Sequence, residues 1–457
     1  MVNLDASVVN VALPVLQHRF GLPIETLQWV ITAYLLVITG LLPIAGRVAD
    51  AIGRREVFLA GIGFFVAGSL CSALAPNFLV LVLARAFQAL GGATIMANVM
   101  AIIVMVFPLE RRGQALGMIG SVVAAGTLAG PPLGGIFTAW LGWRSIFWIN
   151  LPVGLWGLWG SWHYLPRFDP EPGVVLKDLD WLGAAWFMAL TALLQFGLSD
   201  WHRPWGAALL GLDIPATYGF IGWEARRPQP LIPLGLFRIR PFSRNLVSGM
   251  AYWVLMMFPA FLLPFYLHYE LHLTASLIGL SLVPQAFAMI VVSPLGGRWL
   301  DRVGVLWPGR LGMGLLMVAD ALFLILPRQA PLWTVWSILL FVGAGAGLYS
   351  SPNNAAVLNS VNLSQTGLAS SILATQRNLG RAVGVALASI LLSLTWMVDG
   401  LGPTPSQNAN LYPLWFWWGF RGAFAAALVV GMVGLATLTS PPARPDPSPV
   451  ELRSSLR

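Results

Sequence analysis

Fourteen apolar segments follow one another along this chain with only short polar stretches between them, and that succession limits its possible folds more than any motif does. A helix that crosses a bilayer needs about 20 mostly apolar residues. The segments run roughly over 1–17, 26–45, 56–75, 77–107, 113–141, 146–165, 181–199, 204–223, 243–269, 273–297, 307–327, 332–356, 366–398 and 411–440. With 57% apolar residues and only 10% charged ones, little is left over for an aqueous domain. Soluble domains carry roughly 25% charged residues, so a soluble protein is excluded. The expectation is an all-α polytopic membrane protein of fourteen spans.

An even number of spans returns the chain to its starting side, and the basic residues indicate which side that is. The loops after the even-numbered segments hold fifteen of the Lys and Arg residues and the C-terminal tail holds three more, whereas the opposite face holds four. Basic loops stay cytoplasmic, so both termini are expected inside. The same scatter of basic pairs between apolar runs explains the net charge of +8 without nucleic acid as a partner. The single cysteine, Cys71, lies in an apolar run and supports neither a disulfide framework nor a metal site. His268 and His272, four residues apart, lack a third ligand, so no metal is expected. No cleavable leader is visible, and the expected location is the cell (inner or cytoplasmic) membrane.

Two loops repeat. Gly46-Arg47-Val48-Ala49-Asp50-Ala51-Ile52-Gly53 follows the second segment, and Gly297-Arg298-Trp299-Leu300-Asp301-Arg302-Val303-Gly304 follows the tenth, at an offset of 251 residues. Both read G-R-x-x-D-x-x-G, which points to two six-helix halves related by a parallel repeat. The expected divisions are 1–165 for the first half, 166–242 for a linker with two inserted spans, 243–440 for the second half and 441–457 for a cytoplasmic tail.

At this point the chain resembles a known family. The stretch Gly46 to Arg55 is similar to the inner-loop signature of the major facilitator superfamily. Leu4-Asp5-x-x-x-Val9-Asn10-Val11-Ala12-Leu13-Pro14 is similar to the first-span motif of its fourteen-span drug:proton antiporters, the EmrB/QacA type. Arg85-x-x-Gln88-x-x-Gly91-Gly92 resembles the fourth-span motif of that family, and Gly126-x-x-x-Gly130-Pro131-Pro132-Leu133-Gly134-Gly135 resembles its fifth-span antiporter motif. Trp143-Arg144-x-x-Phe147-Trp148-Ile149-Asn150-x-Pro152-x-Gly154 resembles the start of its sixth span. The resemblance implies a major facilitator fold with two inserted central helices. It also implies a secondary exporter of amphipathic small molecules or drugs, driven by the proton motive force without a cofactor.

Several residues carry chemistry of their own. Asp5 lies about 18 Å below the outer end of span one and Arg85 about 12 Å from the same face, depths at which an ionisable side chain needs a partner or a polar cavity. Asp5 is the candidate proton carrier. Arg85 either tunes a nearby acid or holds helices together. Arg377 and Arg381, one turn apart in span thirteen, are candidates for a substrate cavity together with Asn10 and Gln88. Asp320 and Asp213 lie at comparable depth and are expected either to pair with those arginines or to join the cavity. If paired, the arginines are structural; if unpaired, they favour an anionic or zwitterionic substrate. Gly46, Asp50, Gly53, Arg54 and Arg55, with Gly297, Asp301 and Arg302, are candidates for an inner gate in which the carboxylates bind a neighbouring helix N-terminus. The glycines and prolines of span five, Gly126, Gly130, Pro131, Pro132, Gly134 and Gly135, are expected to form a hinge or a sealed interface. Arg421, after Trp415, Phe416, Trp417 and Trp418, reads as an interfacial anchor. Only four residues precede Asp5, so an apolar extension upstream is expected.

Other functional classes have less support. The only lysine, Lys177, cannot complete a phosphate-loop pattern, and no H-E-x-x-H or G-x-S-x-G appears, so neither an ATP-driven pump nor an enzyme is expected. The alternatives are a proton-linked importer or exporter of a specific metabolite, or a transport-inactive sensor on the same fold. Expected partners are a small-molecule substrate, protons and the lipid bilayer, with accessory efflux components left open.

Overall fold

The computed structural model describes residues 1–22, 24–27, 29–170, 175–273, 275–362, 365–397 and 413–440. Apolar sequence far longer than one helical turn has to satisfy its own backbone in hydrocarbon, and the helix does this within a single segment. Among the described residues, the long helices are α1 (Val2–Phe20), α2 (Trp29–Ile52), α3 (Arg54–Ala73), α4 (Phe78–Val106), α5 (Arg112–Leu141), α6 (Asn150–Tyr164), α7 (Trp181–Ser199) and α8 (Pro204–Glu224). Then come α9 (Arg240–Tyr269), α10 (Val283–Val303), α11 (Leu306–Ile325), α12 (Leu332–Asn359), α13 (Thr366–Met397) and α14 (Pro413–Thr437). Each occupies one of the fourteen apolar segments. Eleven of them are long and apolar enough to cross a membrane. Outside that set, α1 holds Asp5, α6 is 15 residues long, and α8 holds Asp213 and Glu224. The tail 441–457, with Arg444, Arg453 and Arg457, lies outside the described residues.

The repeated loop is a repeated backbone. Gly53 ends α2 at φ 114° and Gly304 ends α10 at φ 80°, so the last glycine of each G-R-x-x-D-x-x-G leaves its helix through the left-handed region. Their amides close equivalent bonds, Gly53 to the Ala49 carbonyl at 3.0 Å and Gly304 to Leu300 at 2.9 Å. The two sites differ in crowding: a Cβ on Gly53 would lie 2.8 Å from Glu56 and 3.0 Å from the Phe168 carbonyl, whereas one on Gly304 meets nothing within 4 Å. Gly53→Ala is therefore expected to cost about 1–3 kcal/mol, since backbone strain and crowding combine there. Gly304→Ala should cost less. Thermal unfolding of the purified variants in the same detergent checks this order.

The core is divided by polarity. In the first half, one apolar cluster gathers Val8, Val9, Val30, Leu81 and Phe147. A second gathers Tyr34, Ile38, Phe65, Ala89 and Ala93. Along α4, Arg85 falls between Leu81 of one cluster and Ala89 of the other. The second half instead forms one large cluster that also takes in Met100 and Leu116 from α4 and α5. On the outside, large apolar side chains such as Trp140 and Trp156 stand 83% and 75% exposed, an arrangement tolerable against lipid.

The helices α7 and α8 pack on each other, with Gly197 and Gly206 at the crossing, and α7 lies on α2, where a Cβ on Gly40 would sit 2.7 Å from Met188. The loop after α8 is tied to the first repeat, because Arg47 donates to the Pro230 carbonyl at 2.6 Å. Asp180 caps α7 through Gly183 N at 2.8 Å and accepts from Trp223 Nε1 at 2.6 Å.

Candidate transport site

Three groups of polar side chains stand out, and the first occupies the gap between the two apolar clusters of the first half. Arg85 Nη1 lies 2.6 Å from Asp5 Oδ2, so α1 and α4 are joined by an ion pair in which both side chains are 1% exposed. The other carboxylate oxygen of Asp5 accepts from Asn150 Nδ2 on α6 at 2.7 Å and from Gln88 Nε2 at 3.1 Å. Arg85 also donates to Gln88 Oε1 at 2.5 Å and to the Val30 carbonyl of α2 at 3.3 Å, and its guanidinium lies 4.0 Å from the Tyr34 ring centroid. Ser69 of α3 accepts from Gln88 Nε2 at 2.7 Å, so five helices converge on one carboxylate and its arginine. Charge-assisted bonds of this kind are the strong ones.

This cluster corrects one expectation. Gln88 is fully buried against Asp5 and Ser69 and does not line the cavity, because one turn beyond Arg85 the same helix face still points into its own half. The Asn10 side chain lies outside the described residues. Asn150, Ser69 and Tyr34 had no role assigned from sequence, although Asn150 falls within the sixth-span motif. Their contribution depends on which helix faces meet.

The second group lies between the halves. A cavity of about 30 Å³ is lined by Met96 and Met100 of α4, Leu116 and Ile119 of α5, Trp253 of α9, Met289 of α10, Ser350 and Asn354 of α12, and Ser370 and Arg377 of α13. That is room for about two waters, whereas pockets for drug-sized ligands span roughly 300–1,000 Å³. Arg377 reaches the lining, and the Arg381 guanidinium lies over Trp253 at 4.5 Å from the ring centroid.

Neither arginine has the partner expected of it. Asp320 is 2% exposed on α11, which packs against α12 and α14, and it neither lines the cavity nor forms an ion pair among the described residues. Asp213 is on α8, which packs against α7 and away from α13. Similar depth placed these four residues at one level of the bilayer, but their helices do not share an interface there.

The third group closes the arginine-rich end. Asp301 Oδ1 and Oδ2 accept from the amides of Gly113 and Gln114, at 2.8 and 2.9 Å, so the carboxylate of the second repeat caps the N-terminus of α5 in the opposite half. Ser293 donates to the Gly117 carbonyl at 2.9 Å, Ser121 to Ile290 at 2.7 Å and Ser351 to Gly113 at 3.0 Å. A Cβ on Gly297 would strike the backbone of Gly113, and one on Gly46 would lie 2.8 Å from Ser371 of α13. The first glycine of each repeat thus marks a close crossing between halves. Arg54 pairs with Asp50, lies 3.5 Å from Asn98 Oδ1 and occupies the space where Gly367 of α13 would carry a side chain. Arg55 turns instead to α6, donating to the Trp162 carbonyl at 2.6 Å. Arg302 is exposed beside Trp299.

The fifth-span motif faces its own half. Cβ atoms on Gly126, Gly130 and Gly134 would meet Leu4, Ser7 and Val8, so these glycines form the groove in which α1 lies. Gly135 faces open space, and the side chains of Pro131 and Pro132 lie outside the described residues. Gly113, Gly117 and Gly120, earlier on α5, are the ones that approach α10 across the halves, a set the motif does not contain.

A bundle of long apolar helices that closes at one end around a central cavity has the architecture of a membrane transporter. The chain belongs to the Major Facilitator Superfamily, whose model matches residues 1–385 and 246–456. It is 34% identical over 458 residues to the puromycin resistance protein pur8 of Streptomyces alboniger, covering 96% of this chain and 87% of that one. It is 32% identical over 395 residues to the riboflavin transporter RibZ of Clostridioides difficile, covering 85% of each. Among solved structures, the human organic anion transporter MFSD10 superposes with a TM-score of 0.65 at 18% identity, covering 96% of this chain and 97% of that one. The protein is therefore a multi-pass membrane transporter of small molecules with resistance-type relatives.

Proposed function

We propose that this protein exports amphipathic small molecules across the cell membrane in exchange for protons, with fourteen spans and both termini in the cytoplasm. In this reading residues 1–165 and 243–440 are the two moving halves and 166–242 the inserted linker. The observation that carries the proposal is the burial of Asp5 among Arg85, Gln88 and Asn150 on a helix that lies in a glycine groove of α5.

The coupling follows from those contacts. While ionised, Asp5 holds α1 to α4 and α6 through accepted hydrogen bonds. Protonation removes the charge that attracts Arg85, which keeps Gln88 and the Val30 carbonyl as acceptors, and α1 is released to shift. Because α1 contacts α5 through Gly126, Gly130 and Gly134, a shift of α1 moves α5. The N-terminus of α5 carries the bonds to Asp301 and Ser293 that close the arginine-rich end. Proton binding and inner-gate opening then share one mechanical element. Asp50 and Arg54 serve the same gate on the α2–α13 side, and no cofactor beyond the proton gradient is required.

Proteoliposomes holding the full chain and a preset inward-acid pH gradient, challenged with a panel of cationic, neutral and anionic amphipaths, test this reading. The expected result is that transported compounds collapse the gradient in protein-containing vesicles only. A second reading, a proton-linked transporter of one specific metabolite, is favoured by the 32% identity to a riboflavin transporter. Gradient-driven uptake of a single compound such as riboflavin, with no response to the other amphipaths, would select it.

A further inference from the structure

We propose that the central cavity binds an anionic amphipath, a planar apolar body bearing a carboxylate or similar acidic group, whose charge is taken by Arg377 and Arg381. The inference rests on the transport reading above and names its substrate class. It begins from a contrast within the chain: Arg85 and Arg54 are each neutralised by a carboxylate, Asp5 and Asp50. Arg377 and Arg381, one turn apart on α13, have no carboxylate within ion-pair distance among the described residues, and the Nε of each lacks a hydrogen-bond partner.

Among the described residues that line the cavity there is no counter-charge either. The residues lining the cavity are Met, Leu, Ile, Val, Gly, Ala, Trp, Ser and Asn, with Arg377 the one charged group. Tyr252 and Trp253 of α9 lie on one side, with the Tyr252 hydroxyl unpartnered, and Gln376 and Asn378 on α13 also keep amide groups without partners. Both arginines are half-buried, and two neighbouring cations without a counter-charge at this depth repel each other, a cost that an anionic ligand would relieve. The guanidinium fork suits a planar two-oxygen anion, and lysine would not match it. Met96, Met100, Met289 and Trp253 offer the deformable apolar contacts that a flat ring requires. The cavity is too small for such a molecule as it stands, so the anion enters as the halves part and the arginines are neutralised on its arrival.

Equilibrium binding to the purified full chain in nanodiscs at one fixed pH tests this without any gradient, so it can fail while proton exchange stands, and the reverse. The probes are radiolabelled 2-naphthoate, its neutral amide, and (2-naphthylmethyl)trimethylammonium. Wild type should bind naphthoate saturably and the other two at least about tenfold more weakly, the step that loss of one charged hydrogen-bonding partner gives. Arg377→Gln and Arg381→Gln, each checked for folding by thermal unfolding, should each weaken naphthoate about tenfold or more, and Arg377→Lys should recover only part. No saturable naphthoate binding to folded wild type, equal binding of the amide or the cation, or naphthoate binding unchanged in both glutamine variants would overturn the proposal. An anionic lipid headgroup is the other source of the same chemistry. Nanodiscs of phosphatidylcholine alone and with phosphatidylglycerol distinguish it: a loss of naphthoate affinity on adding phosphatidylglycerol that disappears in Arg377→Gln would assign the arginines to lipid.

Discussion

Asp5→Asn is expected to abolish substrate-driven proton movement and to lower the stability of the protein by about 3–5 kcal/mol, because it leaves Arg85 buried without its counter-charge. The two effects have different origins and separate cleanly. In the double variant Asp5→Asn with Arg85→Gln no unpaired charge remains, and the amides can still exchange hydrogen bonds with Gln88 and Asn150, which contact the same pair. Stability should recover in the double variant, while proton movement should not. Proton release from the reconstituted vesicles and thermal unfolding, measured on both variants, give the comparison. Proton coupling that survives in Asp5→Asn would reduce the cluster to a structural pin. A double variant as unstable as the single one would show that the charge on Arg85 is not the source of the instability.

Gly297→Val should bias the transporter toward the state that is open at the arginine-rich end. Its side chain would be driven into the backbone of Gly113 and to within 3.0 Å of the Gln114 Cα, in the crossing where Asp301 caps α5. Overpacking costs about 1–3 kcal/mol, and here the cost falls on the closed state alone, since the two helices separate in the other. A difference of that size shifts the equilibrium by roughly 5- to 150-fold. The measurement is the rate at which a membrane-impermeant thiol reagent applied at the arginine-rich end labels Ser121→Cys in a Cys71→Ser background, since Ser121 bridges to the Ile290 carbonyl in the same crossing. Faster labelling with Gly297→Val is expected. An unchanged rate would mean that the crossing is not the seal.

The helices were readable in the sequence because apolar length is a local property, and each segment recovered a helix with ends displaced by a few residues. The repeat was readable for a similar reason, since a glycine at positive φ and a carboxylate one turn before it are requirements of one short stretch of backbone. Depth along a helix follows from its rise per residue, and it put Asp5 and Arg85 inside the bilayer at levels about 6 Å apart, which the length of the arginine side chain spans. Facing does not follow from depth. Asp320 and Arg377 were set at similar depth, yet they belong to helices whose polar faces do not meet. Gln88 shares a helix with the cavity residues Met96 and Met100 but points into its own half. The Gly113, Gly117 and Gly120 stripe was hidden because its meaning depends on α10, a helix nearly two hundred residues away.

The unpaired arginines have an electrical consequence. Exchange of one cation for one proton moves no net charge, whereas exchange of one outgoing monoanion for one incoming proton carries two charges in the same direction. At about 2.3 kcal/mol per charge per 100 mV, such a cycle draws roughly 4.6 kcal/mol from a 100 mV potential before any pH difference is counted. That corresponds to an accumulation ratio above a thousand. A potassium diffusion potential set with valinomycin, negative on the side from which substrate departs, should then drive transport in vesicles with no pH gradient at all.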